Sequence, residues 1–426
     1  MKYAFVLLAL GCLVTAVHAQ YWEAAVQAGD GPFALCYNSL DDKVYCANLL
    51  GGSVTVISGA NHRVLATVPA KDGPAGLCYN PTNDKVYCAS YGSGDVRIID
   101  GATDSVITTV VAGSGATMFC YSPYSNRVYC SNHFAGTVTV IDGATDEVIG
   151  DASAHSSPWG LCYNSLTHEV YCACYDSSGG FVTVVDGPYG TRDIALGPAS
   201  PSILCYDAQH NKVFCNGFRD SIIVIDGAGD SVIGRVKVGT DPFAFCYNPR
   251  DSVLYCANIH SKTVTVVNAA TNTVVATIPV DSEPRALCYD SAHNKVYCAN
   301  AKSDSVSVID GAGDTVIRTI AVGDEPEALT FNPLHGRVYV ANWSSDNVTV
   351  IRDTSTGIEE SPRQQTPSRK LAPTVLSGAY VQSLKSSAIF DALGRRAVNP
   401  KPGVYFVREA QAQAQAHAVR KVIVTR

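Results

Sequence analysis

The sequence predicts an all-β fold: an eight-bladed β-propeller closed by its N-terminal strand, then a linker and a small β-sandwich-like C-terminal domain. Three observations carry this. The phrase Leu35-Cys36-Tyr37 returns at Leu77, Phe119, Leu161, Leu204, Phe245 and Leu287, and an eighth time as Leu329-Thr330-Phe331; successive starts lie 42, 42, 42, 43, 41, 42 and 42 residues apart. Each unit holds four short runs of alternating, β-branched or aromatic residues, which is the arithmetic of a propeller blade. The eighth unit lacks its fourth run, and Trp22 to Ala28, ahead of the first unit, matches it.

The elements follow in chain order. Met1-Lys2, an apolar run from Tyr3 to Val17, and Val17-His18-Ala19 describe a secretory signal peptide over 1–19. The run is short for a membrane span, and no other stretch reaches that length, so no span is expected once the signal is removed. A lipoprotein signal at Gly11-Cys12 is the rival, but the apolar run continues through Leu13-Val14. The expected location is extracellular or cell surface. The propeller is expected over 20–353. In its seventh unit, Arg285 to Tyr289, Lys295 to Ala299, Ser305 to Ile309 and Thr315 to Ala321 read as strands a to d, separated by turn residues such as Asp310-Gly311-Ala312-Gly313. A closed ring removes the two long edges of a flat sheet of this size. The competing arrangement is seven closed blades with one unit outside. A linker is expected over 354–373, which is rich in Pro, Ser, Thr and Gln. The last domain is expected over 374–426, with strand-like runs at Ala388 to Arg396, Lys401 to Val407 and Lys421 to Val424.

Of 426 residues, 46% are hydrophobic and 16% charged, with a formal net charge of −7 and no block of like charges. Nucleic acid is therefore excluded as an expected partner.

Tyr339-Val340-Ala341-Asn342, the recurring Tyr-Cys-Ala-Asn at Tyr45, Tyr255 and Tyr297, and Val306 to Ala312 resemble the YVTN family of β-propeller repeats. The resemblance covers all eight units, with Cys in place of the family's usual Val. It implies an extracytoplasmic or surface-layer setting and brings no catalytic residues. Gly394-Arg395-Arg396, Pro402-Gly403-Val404-Tyr405-Phe406-Val407 and the basic-flanked final strand resemble the C-terminal sorting domain of the type IX secretion system. That resemblance implies export through the corresponding machinery, with the tail removed or used for attachment. An unrelated β-hairpin domain is the alternative.

Seven units carry one Cys in strand a and another in strand b: Cys36/Cys46, Cys78/Cys88, Cys120/Cys130, Cys162/Cys172, Cys205/Cys215, Cys246/Cys256 and Cys288/Cys298. Cys174 is the odd one. In an exported chain such pairs read as disulfides. The eighth unit, with Thr330 and Val340, favours bridges within units, since this leaves no orphan among the fourteen. A plain four-residue hairpin loop opposes them, because it would turn the two thiols to opposite faces. Reduced core thiols and metal ligation are the alternatives.

Strand a lines the central channel of a propeller. The residue after its recurring proline opens the channel and varies most: Phe33, Ala75, Thr117, Trp159, Ser202, Phe243, Arg285 and Glu327. Loops of the same face add His133 and Trp343. Phe33, Trp159, Phe243, Arg285, Glu327, His133 and Trp343 are therefore the candidate ligand-binding residues. They suit a protein, peptide or glycan partner; the plain alternative is ordinary loop residues. Acidic residues recur on this face, including Glu283 and Glu325, against few cations. The repeated Asp-Gly-Ala-x-Asp at Asp100, Asp142, Asp226 and Asp310 reads as a turn, since a calcium loop needs denser ligands. No triad order, H-E-x-x-H, P-loop or dinucleotide fingerprint occurs. The expectation is a non-enzymatic binding or envelope protein without cofactor or metal. The alternative is a lyase, lactonase or quinone-dependent dehydrogenase acting at the channel mouth, for which only Arg285 and Glu327 qualify.

Overall fold

The computed structural model describes residues 19–354 and, beyond them, the strands at 374–377, 388–390, 403–409 and 418–425. The expected signal peptide up to residue 18 and the expected linker from residue 355 lie outside the described residues. The chain divides into two compact units, Met1–Ile358 and Glu359–Arg426.

The first unit is a ring of eight four-stranded antiparallel sheets. Seven blades take their strands consecutively; in the seventh these are Pro284–Asp290, Lys295–Asn300, Ser305–Asp310 and Thr315–Ala321. The eighth is built from Pro326–Asn332, Arg337–Asn342 and Asn347–Thr354, with Ala19–Gln27 as its outermost strand. Trp22 pairs with Ile351 and Val26 with Val348. The innermost strands touch in order around the ring, and the eighth touches the first. Among the described residues the only helix is the 3-10 turn Ala301–Ser303.

The core lies between blades, because each sheet presents an apolar face to its neighbour. Tyr45, Val54 and Val56 of blade 1 pack on Val86, Cys88 and Ile99 of blade 2. At the seam, Val26, Tyr339, Val348 and Val350 pack on Val44, Cys46 and Ile57. The fully buried tyrosines of strand b also reach the next blade's c–d turn. The hydroxyl of Tyr45 donates to Asp104 at 2.7 Å, that of Tyr171 to Asp230 at 2.5 Å and that of Tyr255 to Asp314 at 2.8 Å.

This gives the Asp-Gly-Ala-x-Asp phrase two jobs. Its first Asp caps the turn, as where Asp100 accepts from Thr103 N at 2.7 Å. Its second sits in the left-handed region, at φ 58° for Asp104, and receives the neighbouring blade's tyrosine. The turn reading stands, and the inter-blade role of the second Asp was not visible in the sequence.

At the seam no such turn exists, because the fourth strand comes from the other end of the chain. Asp353 takes the place of the missing acceptor. Its carboxylate receives Lys295 Nζ at 2.7 Å on each oxygen, the Tyr297 hydroxyl at 2.8 Å and Gln20 Nε2 at 3.0 Å. Glu23 of the N-terminal strand is held by Arg337 through two bonds of 2.8 and 2.9 Å.

The within-unit disulfides, from Cys36/Cys46 to Cys288/Cys298, are corrected by the register. Cys36 stands opposite Tyr45 and Cys46 opposite Leu35, across a plain four-residue loop. The two thiols therefore face different neighbours and cannot meet. All fifteen described cysteines are free. Most serve as small core residues, and burial pushes the Cys78 and Cys88 thiols up to about 12.

In the second unit, Thr374–Ser377, Ala388–Phe390, Gly403–Glu409 and Ala418–Thr425 form one sheet with the last strand central to the pairing. The second sheet that a sandwich requires is not among the described residues.

Candidate site at the channel mouth

The variable position of the repeat is a β-bulge. Pro32 pairs with Asn48 and Ala34 with Ala47, so Phe33 is skipped by the ladder. Ala75, Phe243, Arg285 and Glu327 are skipped in the same way. A bulge re-aims one side chain without disturbing the register that buries the others. This is why the position varies freely at the end of an otherwise uniform strand.

Ring closure brings three of these positions together. Phe33, Arg285 and Glu327, with Glu325 and Trp343, line a cleft of about 310 Å³ where blades 7, 8 and 1 meet. Phe33 and Trp343 stand edge to face, with centroids 5.9 Å apart. Arg285 lies between two carboxylates: its Nη2 is 3.0 Å from Glu283, and its Nη1 binds Glu327. Glu325 accepts the Ser344 hydroxyl. Burial pushes the Glu327 carboxyl up and Arg285 offsets this only in part, so it stays above the usual glutamate range.

Two of the acids occupy a costly backbone slot. The residue before the recurring proline is left-handed in several blades, and Gly31 and Gly73 fill it at φ 64° and 70°. Glu283 and Glu325 adopt φ 56° and 53° there. For a residue with a Cβ this costs about 1–2 kcal/mol. Ser157 and Asp241 share this slot at φ 54° and 63°, so the conformation belongs to the repeat; what sets Glu283 and Glu325 apart is their place beside Arg285 and the cleft.

The remaining candidates lie elsewhere. His133 and Trp159 join Tyr91 and Phe134 in a second group of rings on blades 2 to 4, His133 and Trp159 being perpendicular at 4.9 Å. His133 Nδ1 is buried there without a partner. Phe243 stands apart, 43% exposed, and makes no ring contact among the described residues. A larger groove of about 690 Å³ runs along the outer rim by Ile107, Val111 and Val148. It contains none of the variable channel-mouth residues, so the smaller cleft is the better candidate for recognition.

No family model matches the sequence, and no curated protein is similar to it. Solved structures are. A dihydro-heme d1 dehydrogenase, NirN, in complex with DHE aligns with TM-score 0.63 and 14% identity over 77% of this chain and 75% of its own. Kuenenia stuttgartiensis hydrazine synthase aligns with TM-score 0.55 and 17% identity over 78% of this chain and 98% of its own. The shared feature is the propeller. At these identities the likeness establishes the fold and leaves activity open.

The expectation that the chain is not an enzyme is corrected on two counts. Propellers of this architecture include proteins named as a dehydrogenase and a synthase. The argument from too few acid–base groups also fails, since Glu283 and Glu325 join Glu327 and Arg285 at the mouth.

Proposed function

We propose that the protein is an exported β-propeller that binds a cationic group, carried by a peptide or a small molecule, in the cleft between blades 7, 8 and 1. The observation that carries this is the charge of the cleft. Arg285 is engaged by Glu283 and Glu327, and Glu325 lines the same cleft as a third carboxylate. Ionised, the set has two negative charges in excess, beside the rings of Phe33 and Trp343 that line the same cleft, and a cation gains from both the carboxylates and an aromatic lining. Export and a cell-surface or extracellular location rest on the signal-like N-terminus and on the resemblances to YVTN repeats and to the type IX sorting domain.

The test is calorimetric titration of the full chain with basic, neutral and acidic peptides and with neutral oligosaccharides. Basic ligands are expected to bind, more weakly as salt rises, and to lose at least tenfold in affinity in Glu325→Gln and Trp343→Ala. Arg285→Ala separates the charge classes, since it abolishes binding of an anion and spares binding of a cation. Preference for an acidic peptide or a neutral sugar would overturn the reading.

A second reading is favoured by Glu327, whose raised carboxyl beside Arg285 suits proton transfer to a bound ligand. Turnover of a bound amine that disappears in Glu327→Gln, with binding retained, would establish it.

A further inference from the structure

We propose that Cys172 and Cys174 of blade 4 are the two sulfur ligands of a site for a thiophilic d10 metal ion of the copper(I) class. The argument begins with the repeat itself. The position of Cys174 holds Asn48, Ser90, Asn132, Gly217, Asn258, Asn300 and Asn342 in the other blades. Where the residue is Asn, its amide commonly ties strand b to strand c. Asn48 Nδ2 donates to Thr55 at 2.9 Å, Asn132 to Thr139 at 2.8 Å and Asn342 to Thr349 at 2.9 Å. Blade 4 keeps the acceptor, Thr183, but has exchanged the amide for a thiol whose contact with it is 3.7 Å. The exchange gives up a buried hydrogen bond that five of the other seven blades keep, Ser90 and Gly217 being the two that lack it.

What the exchange creates is a pair of thiols. Cys172 and Cys174 lie two residues apart on one strand, both fully buried, with their sulfurs 3.7 Å apart. Among the described residues no other two thiols make such a contact. Two sulfurs of one three-coordinate ion, at about 2.3 Å each and about 120°, lie about 4.0 Å apart, close to this separation. A disulfide fits less well. Alternate residues of a strand have Cα atoms about 6.6 Å apart, at the outer limit for a bridge. This strand is also paired on both sides, Cys172 facing Leu161 and Thr183.

The ligand count selects the ion. No third His, Cys or carboxylate of the described residues joins the two sulfurs closely enough to complete a zinc-type set; the one cluster of that size, Asp290, His293 and Asp353, is filled by Lys295 and Tyr297. Two soft donors satisfy a low-coordinate monovalent ion. Binding balances as M⁺ plus two thiols giving a neutral complex of one thiolate, one thiol and M⁺, with one proton released.

A polar path leads outward. Thr183 Oγ1 donates to Asp193 at 2.6 Å, and His155, 30% exposed, lies 3.1 Å from Asp193 and 3.5 Å from Asp176.

The test is anaerobic titration of the full chain with copper(I), in competition with bicinchoninate. Wild type is expected to hold one more ion than Cys174→Asn, which installs the residue that five other blades carry there and so preserves the fold. Cys46→Ala, at the strand-b cysteine of blade 1, should bind as wild type, and X-ray absorption should show two sulfur neighbours. Equal stoichiometry for wild type and Cys174→Asn, including none in either, would overturn the proposal.

Discussion

Replacing Lys295 by methionine probes how the ring is sealed. The Lys295 and Asp353 side chains are 3% and 0% exposed, and the ammonium lies 2.7 Å from both carboxylate oxygens. Methionine keeps the aliphatic stem and removes the charge, leaving the buried carboxylate to the Tyr297 hydroxyl, Gln20 and the His293 imidazole 3.8 Å away. Breaking a buried pair from one side costs about 3–5 kcal/mol. Blade 1 supplies the control. Lys43 and Asp104 form the matching pair at 2.9 Å, each 11% exposed, on a turn that water can reach. Lys43→Met is therefore expected to cost less, about 1–3 kcal/mol. Urea denaturation followed by circular dichroism at pH 7 measures both. A Lys295→Met cost below about 1 kcal/mol, or no larger than that of Lys43→Met, would refute the view that the seam depends on this buried pair.

Further predictions concern acid, packing and thiols. Burial pushes the Glu23 carboxyl up, but Arg337, His62 and Arg352 outweigh it and hold it below the usual range. Its folded value being depressed, its contribution is complete above the ordinary glutamate value and is lost as pH falls through the folded value. Glu23→Gln should therefore lower stability at neutral pH and flatten the acid limb of a melting-temperature profile; an unchanged acid limb would contradict this. A methyl group at Gly76 would run into the Thr117 carbonyl. Gly76→Ala should cost about 1–3 kcal/mol by overpacking, read from the urea midpoint. Iodoacetamide at pH 8 should leave the native propeller nearly unlabelled and label it fully in denaturant, because burial raises most of its thiols.

The propeller was legible because its signal is repeated. One blade's alternation is ambiguous, but eight in phase leave one solution, and the missing fourth strand of the last unit names its replacement. What stayed hidden turned on local parity and on ring order. Whether Cys36 meets Cys46 depends on four loop residues that set which face each thiol takes. Phe33 and Glu327 lie at opposite ends of the repeat array and become neighbours only when the ring closes. The sequence pointed to Phe33, Arg285, Glu327 and Trp343 through their variable or loop positions. It also grouped His133, Trp159 and Phe243 with them, because spacing reports the face of the ring and not the arc. Glu283 and Glu325 read as surface acids until their contacts with Arg285 and Ser344 set them at the cleft.

The closing strand also governs the order of assembly. Gln20 and Asp353 bond across 333 positions of chain. Bringing such distant ends together costs about 5 kcal/mol of chain entropy, by the logarithmic dependence on loop length. Neighbouring blades can dock as soon as both exist, whereas this strand must wait for the last unit. Until then the eighth blade presents an open edge and the first strand has no partner. A second molecule's first strand offers the same hydrogen bonds, so concentrated refolding favours strand-exchanged dimers over the sealed monomer. Dilution before the final docking step is therefore the condition under which this chain finds itself and not its neighbour.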